Sequence, residues 1–209
     1  MQFPGKLTLL ILALLFSSGV ATAGDTLESI LAAAAGQQRV AIDYREVRHL
    51  QLLNEPWEAR GHMFVTAGDF LIEQLSPERQ LIAANRTLFW LYIPDKGIRR
   101  TQMLNSPMTK NNFILFMPVV RGDRKTLEKV FDIRFSTSRE AWLMELRPKQ
   151  LDEAIYTRIS IQGKSGRAAD YMKTESADGD FTEWFFQQHG FGADSEASMN
   201  KLMAMAKGR

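Results

Sequence analysis

Between Val40 and Leu104 the chain changes side-chain character every second residue, and turn signals cut it roughly every eight to twelve residues. No other feature limits the fold as much. Val40, Ile42 and Tyr44 alternate with Ala41, Asp43 and Arg45, and Trp57, Ala59, Gly61, Met63 and Val65 share the face of a second strand. Ala67-Gly68-Asp69 turns the chain into Phe70–Leu75, and Ser76-Pro77-Glu78 turns it into Gln80–Ala84. Asn85-Arg86 leads to Leu88–Ile93, and Pro94-Asp95-Lys96-Gly97 leads to Ile98–Leu104. The period returns at Phe131–Ser136, Ala141–Leu146, Ile155–Gln162 and Arg167–Lys173, with Gly163-Lys164-Ser165-Gly166 as the last hairpin. Asp178-Gly179 then turns into an aromatic segment, Phe181–Gln188. This pattern predicts a mainly β (α+β) protein whose antiparallel meander curls into a barrel or sandwich.

Helical signals are few. Asp25 to Ala35 reads as a short helix capped by Asp25 and ended by Gly36, with Leu27, Ile30, Leu31 and Ala34 on one face. Ser106-Pro107 opens a second helix whose core, Phe113-Ile114-Leu115-Phe116-Met117, is apolar on every side. Asp123 caps a third, to Val130. The last segment, 190–209, is expected as a flexible or weakly helical tail in which Met199, Leu202, Met203 and Ala206 share a face.

The front of the chain reads as an export signal. Lys6 precedes an apolar run, Leu7–Phe16, and Ala21-Thr22-Ala23 is a small-x-small cleavage site. The run is about ten residues, half of the roughly 20 a spanning helix needs. Residues 1–23 are therefore expected to be removed after Ala23, leaving a domain over 24–189 in a bacterial periplasm. The 209 residues contain no cysteine, which rules out disulfides, thiolate chemistry and Cys-ligated metal. With 26 Lys+Arg against 24 Asp+Glu there is no basic excess of the kind nucleic acid demands.

Catalytic signatures are lacking. His49, His62 and His189 have no metal-ligand spacing, and no cofactor motif is found. Gly163-Lys164-Ser165 resembles the end of a phosphate loop, but position 158 is Arg rather than Gly. No Gly-x-Ser-x-Gly elbow occurs, and the acids are scattered. What stands out is apolar residues in excess. Phe64, Phe70, Ile72, Leu88, Trp90, Tyr92 and Met103 come from successive strands and are the candidate lining of a hydrophobic cavity. Phe113, Phe116 and Met117 are its candidate lid.

The order of elements resembles the LolA-like family of periplasmic lipoprotein carriers. The residues that carry the likeness are Gly61-His62-Met63-Phe64-Val65, Leu88-Phe89-Trp90-Leu91-Tyr92-Ile93-Pro94, the Ser106-Pro107 helix and Leu146-Arg147-Pro148. It covers roughly residues 25–186. The resemblance implies an unclosed antiparallel β-barrel with short helices over the mouth of a hydrophobic cavity. It also implies a monomeric carrier of lipoprotein acyl chains or another lipid, with an inner-membrane exporter of the ABC type and an outer-membrane acceptor as partners. The family's Arg-Pro pair after the Gly61–Val65 strand is replaced by Ala67-Gly68, which leaves the cargo open. A lipid-sensing module of the same fold, signalling through a protein partner, and a secreted hydrolase are the alternatives.

Overall fold

The structure is a computed structural model and describes residues 24–37, 39–104, 118, 121–150 and 156–209. The expected signal segment and the lid residues Phe113, Phe116 and Met117 lie outside the described residues. Three α-helices and eleven strands are described: α1 (Leu27–Gly36), β1 (Arg39–His49), β2 (Trp57–Thr66), β3 (Phe70–Ser76), β4 (Gln80–Ala84), β5 (Leu88–Ile93) and β6 (Ile98–Met103). After these come α2 (Arg124–Val130), β7 (Phe131–Thr137), β8 (Ala141–Pro148), β9 (Tyr156–Lys164), β10 (Ala169–Ser176), β11 (Phe181–His189) and α3 (Ala193–Lys207). No described helix is long and apolar enough to cross a membrane.

All eleven strands form one antiparallel sheet in the order β6-β5-β4-β3-β2-β1-β11-β10-β9-β8-β7, and it does not close into a barrel. Two meanders, β1 to β6 and β7 to β11, are joined by the pairing of β1 with β11, from Ala41–His189 to His49–Phe181. The open edges, β6 and β7, are consecutive in sequence, so residues 104–130 are the connection between them.

The register sorts side chains onto two faces, because successive residues of a strand point opposite ways. On one face lie Phe131, Trp142, Met144, Leu146, Ile159, Ile161 and Met172, packed with Leu31 of α1 and Leu127 of α2. This is called the α1 face. On the opposite face Phe64, Leu71, Leu81, Ala83 and Trp90 pack against Met199, Leu202, Met203 and Ala206 of α3. This is the α3 face. The two clusters occupy opposite halves of the sheet as well as opposite faces.

Local chemistry explains each helix boundary. Thr26, not Asp25, caps α1. Its hydroxyl accepts from the Ser29 amide at 3.1 Å, and the Ser29 hydroxyl accepts from the Thr26 amide at 2.9 Å. Asp25 is taken up elsewhere, accepting from the Ser165 hydroxyl at 2.7 Å and the Gly166 amide at 3.1 Å, which ties the approach to α1 to the β9–β10 turn. Gln37 rather than Gly36 is the C-cap. Asp123 caps α2 through the Thr126 amide at 3.1 Å. The tail is a fifteen-residue helix, and its buried residues are Met199, Leu202, Met203 and Ala206. Arg99 of β6 donates to the Met205 carbonyl and, at 2.9 Å, to that of Ala206, satisfying the last carbonyls of α3. At the other end Arg39 pairs with Glu196 at 3.1 Å.

Glycine is required where the approach to α2 touches α1. Gly122 has φ +60, and a Cβ there would lie 2.0 Å from the Leu31 carbonyl oxygen. We expect Gly122→Ala to destabilise the protein by about 1–3 kcal/mol in chemical denaturation, from strain and helix displacement together. Gly36→Ala, with open space around it, should be neutral or stabilising in the same assay.

Candidate functional site

The seven cavity candidates do not share a face. Phe64, Leu88 and Trp90 lie on the α3 face, and Phe64 and Trp90 are 7% exposed beneath α3. Tyr92 is on the same face, with the Arg99 guanidinium 3.9 Å from its ring centre, and Met103 lies there too, paired in register with Leu88 and 51% exposed. Phe70 and Ile72 alone are on the α1 face. The reason is the period of two. Strands apolar on both sides, such as Leu88–Ile93, give no parity signal, so alternation alone does not tell which of their bulky residues share a wall. The residues that join Phe70 and Ile72 are those paired with them across the sheet.

Two complete apolar rungs run across five strands of the α1 face. Ile42, Met63, Ile72, Ile82 and Leu91 are successive partners from β1 to β5. Val40, Val65, Phe70, Ala84 and Phe89 form the next rung. Val40, Val65 and Phe70, with Ile42 and Ile72 against them, make a cluster separate from the one beneath α1 and α2. Ile42, Ile72, Ile82, Phe89 and Leu91 are only half-buried. At a strand spacing of about 4.8 Å a five-strand rung is roughly 19 Å long.

The same face changes character along β1. Val40, Ile42 and Tyr44 are followed at the same parity by Glu46 and Arg48. Glu46 is 3% exposed, and burial pushes its carboxyl above the ordinary value, partly offset by Arg48, whose Nε donates to Oε1 at 2.5 Å. Burial likewise raises the hydroxyls of Tyr44 and Tyr156. The Tyr44 and Trp184 rings lie 5.4 Å apart. A β-bulge between Glu175 and Ser176 sets Tyr156 opposite Ser176. Glu46 and Arg48 are not among the residues that sequence pattern singles out; the signal for them is two charges continuing an apolar parity.

On the α3 face, the half without α3 is polar. An open groove of about 720 Å³ is lined by Arg147, Lys149, Arg158, Glu175, Asp180 and Phe181 among others. Arg158 bonds to Glu175 and stands 3.7 Å from Glu145, and its guanidinium holds the Glu175 carboxyl down at about 2. Further along, His62 and His189, 127 residues apart in sequence, both meet Asp43, at 2.7 and 2.8 Å. Burial alone would raise Asp43, but the two imidazole hydrogen bonds outweigh it and hold the carboxyl below its ordinary value. Among the described residues no group of three or more His, Asp or Glu could hold a metal ion.

No protein-family model and no curated protein matches the sequence. Solved structures do match. One, a putative outer membrane lipoprotein-sorting protein domain from Vibrio parahaemolyticus, is 10% identical at TM-score 0.44, covering 84% of this chain and 96% of that one. An uncharacterized conserved protein from Thermus thermophilus is 10% identical at TM-score 0.48, covering 85% and 90%. A LolA superfamily protein from Nitrosomonas europaea is 11% identical at TM-score 0.40, covering 78% and 92%. At these identities each is a likeness of chain path.

The groove's ion pairs make a pH prediction. Because the folded-state value of Glu175 is depressed, its stabilising contribution is full above the ordinary carboxylate range and is lost as pH falls towards about 2. Arg158→Gln should therefore lower stability at neutral pH by on the order of 1 kcal/mol after solvent screening, and the difference should shrink as pH falls towards 2. Thermal melts between pH 2 and 7 measure it.

Proposed function

We propose that this protein is a periplasmic carrier that holds the acyl chains of a lipoprotein or a related lipid against the apolar rungs of its α1 face. The observation that carries the reading is the pair of five-strand rungs, Ile42 to Leu91 and Val40 to Phe89. Residues so placed offer a continuous apolar track, and Ile and Leu have no polar groups to satisfy on either side of occupancy. The groove on the α3 face is a poorer fit for acyl chains, since Arg147, Lys149, Arg158 and Glu175 would be stripped of water with nothing gained. The export signal at residues 1–23 and the family resemblance of the strand motifs support the same reading.

The energetics suit transport. Burying a methylene contributes about 0.8 kcal/mol. A stretch of about ten methylenes along one rung thus offers roughly 8 kcal/mol, near micromolar affinity. That is enough to keep a chain out of water and little enough to let it go to an acceptor. Under this reading the protein works as a monomer between an inner-membrane exporter and an outer-membrane acceptor, without catalysing a reaction.

Mass spectrometry of organic extracts from protein purified out of the periplasm without detergent tests the proposal. We expect near-stoichiometric acyl lipid from the native protein, and a loss of at least tenfold from the double variant Ile72→Asp, Leu91→Asp, since each charge meets an apolar chain. Circular dichroism checks that the sheet survives. Equal lipid yield from the folded variant would remove the rungs from consideration.

A further inference from the structure

The charged end of the α1 face contains a side-chain arrangement that packing does not require. Glu46 sits on β1 at the apolar parity and is 3% exposed. Burying a carboxylate is costly, and a buried pair commonly stabilises a fold less than apolar residues of the same size would. Arg48, the partner, is by contrast 44% exposed at its side chain. Its orientation is nevertheless fixed twice over. Nε is committed to Glu46 at 2.5 Å, and the guanidinium carbon stands 4.4 Å from the ring centre of Trp57. Among the described residues the two Nη groups have no partner. The result is an arginine with its inner edge locked, its plane held on an indole and its outer fork vacant. A vacant guanidinium fork matches the oxygens of a phosphate or carboxylate.

Its position relative to the rungs matters equally. Ile42 and Arg48 share the α1 face six residues apart on one strand, about 20 Å at the usual rise. Tyr44 and Glu46 fill the interval. The β1–β2 connection that follows Arg48 carries Leu52, 98% exposed, and Leu53, 51% exposed. An apolar track, an oriented cation about 20 Å from it along the same face and bare leucines beside that cation together match an amphiphile with an oxyanion head group.

We propose that Arg48 is the head-group contact of the bound lipid, that Glu46 is the residue positioning it, and that the ligand therefore carries an oxyanion such as a phosphate. The inference rests on the carrier reading above and narrows its ligand. Glu46 touches no ligand in this scheme; it prevents the guanidinium from swinging into solvent.

The test compares 1-palmitoyl lysophosphatidic acid with 1-palmitoylglycerol, which share the acyl chain and differ in the phosphate, by displacement of a fluorescent fatty-acid probe from the full mature chain. Native protein should prefer the phosphate-bearing lipid by about tenfold, the scale of one charge-assisted hydrogen-bonded contact. Arg48→Gln should bring the ratio to near one, and Arg48→Lys should restore part of it, since an ammonium keeps charge but not the fork. Glu46→Gln should also lower the ratio while leaving the thermal midpoint at pH 7.5 unchanged or higher, because the amide escapes the cost of burying a charge. A native ratio of one, or a ratio that survives Arg48→Gln, would overturn the inference while leaving the carrier reading intact. Failure of both lipids to bind would overturn both. Displacement of lysophosphatidic acid by inorganic phosphate at equal concentration would show that the site reads a free anion rather than a lipid, and would overturn the assignment as well.

Discussion

The pairing of β1 with β11 is the contact on which the rest of the molecule depends. It joins residues as far apart in sequence as Ala41 and His189, and without it the two meanders would be separate sheets, each with an extra open edge. Because β1 also pairs with β2 along nearly its whole length, it is saturated on both sides and forms the centre of the sheet. Closing so long a loop is entropically expensive and defers the reward to the last strand of the sheet. Side chains on both faces secure the joint: the Tyr44–Trp184 rings on one, and Asp43 held by His62 and His189 on the other.

From that joint follows a division of labour between faces. Each half of the sheet has one face packed by helix, and the covered faces are opposite: α1 and α2 on the β7–β10 half, α3 on the β2–β5 half. The β2–β5 strands are largely apolar on both sides, with α3 packed on one and the two rungs on the other. A sheet that had only to be stable would make its second face polar, as the β7–β11 half does with Arg158, Glu145, Glu175 and Lys173. Ile42, Ile72, Ile82 and Leu91 stay half-buried on that face, and Glu46 with Arg48 is the one place on β1 where the apolar parity gives way to charge.

Much of the architecture was legible in the chain. Strand positions followed from alternation and turn chemistry, with Gln80–Ala84 and Leu88–Ile93 matching residue for residue. The helical face of Met199, Leu202, Met203 and Ala206 could be read from spacing alone, and those are the residues α3 buries. The candidate site was legible only in part. Phe70 and Ile72 belong to the rungs, whereas Phe64, Leu88 and Trp90 belong with α3, because continuous apolar runs such as Leu88–Ile93 contain two faces and no mark to tell them apart. Nor could the sequence indicate that His62 and His189 would meet at Asp43, since the β1–β2 register sets His62 opposite Asp43 and the β1–β11 register brings His189 to it.

The sequence by itself determined the strands, their turns and the Asp123 cap of α2, because these obey forces between residues a few positions apart: steric alternation, glycine's freedom, and a side-chain oxygen meeting a nearby amide. At α1 the same rule offered Asp25, one residue before the Thr26 that caps it. Tertiary structure alone decided which face each apolar residue serves, that the tail is a packing element, and that Glu46 is buried beside a half-exposed Arg48. Those outcomes depend on which strand lies beside which and on what covers each face. Both are set by a pairing between the two ends of the chain, and no local pattern encodes it.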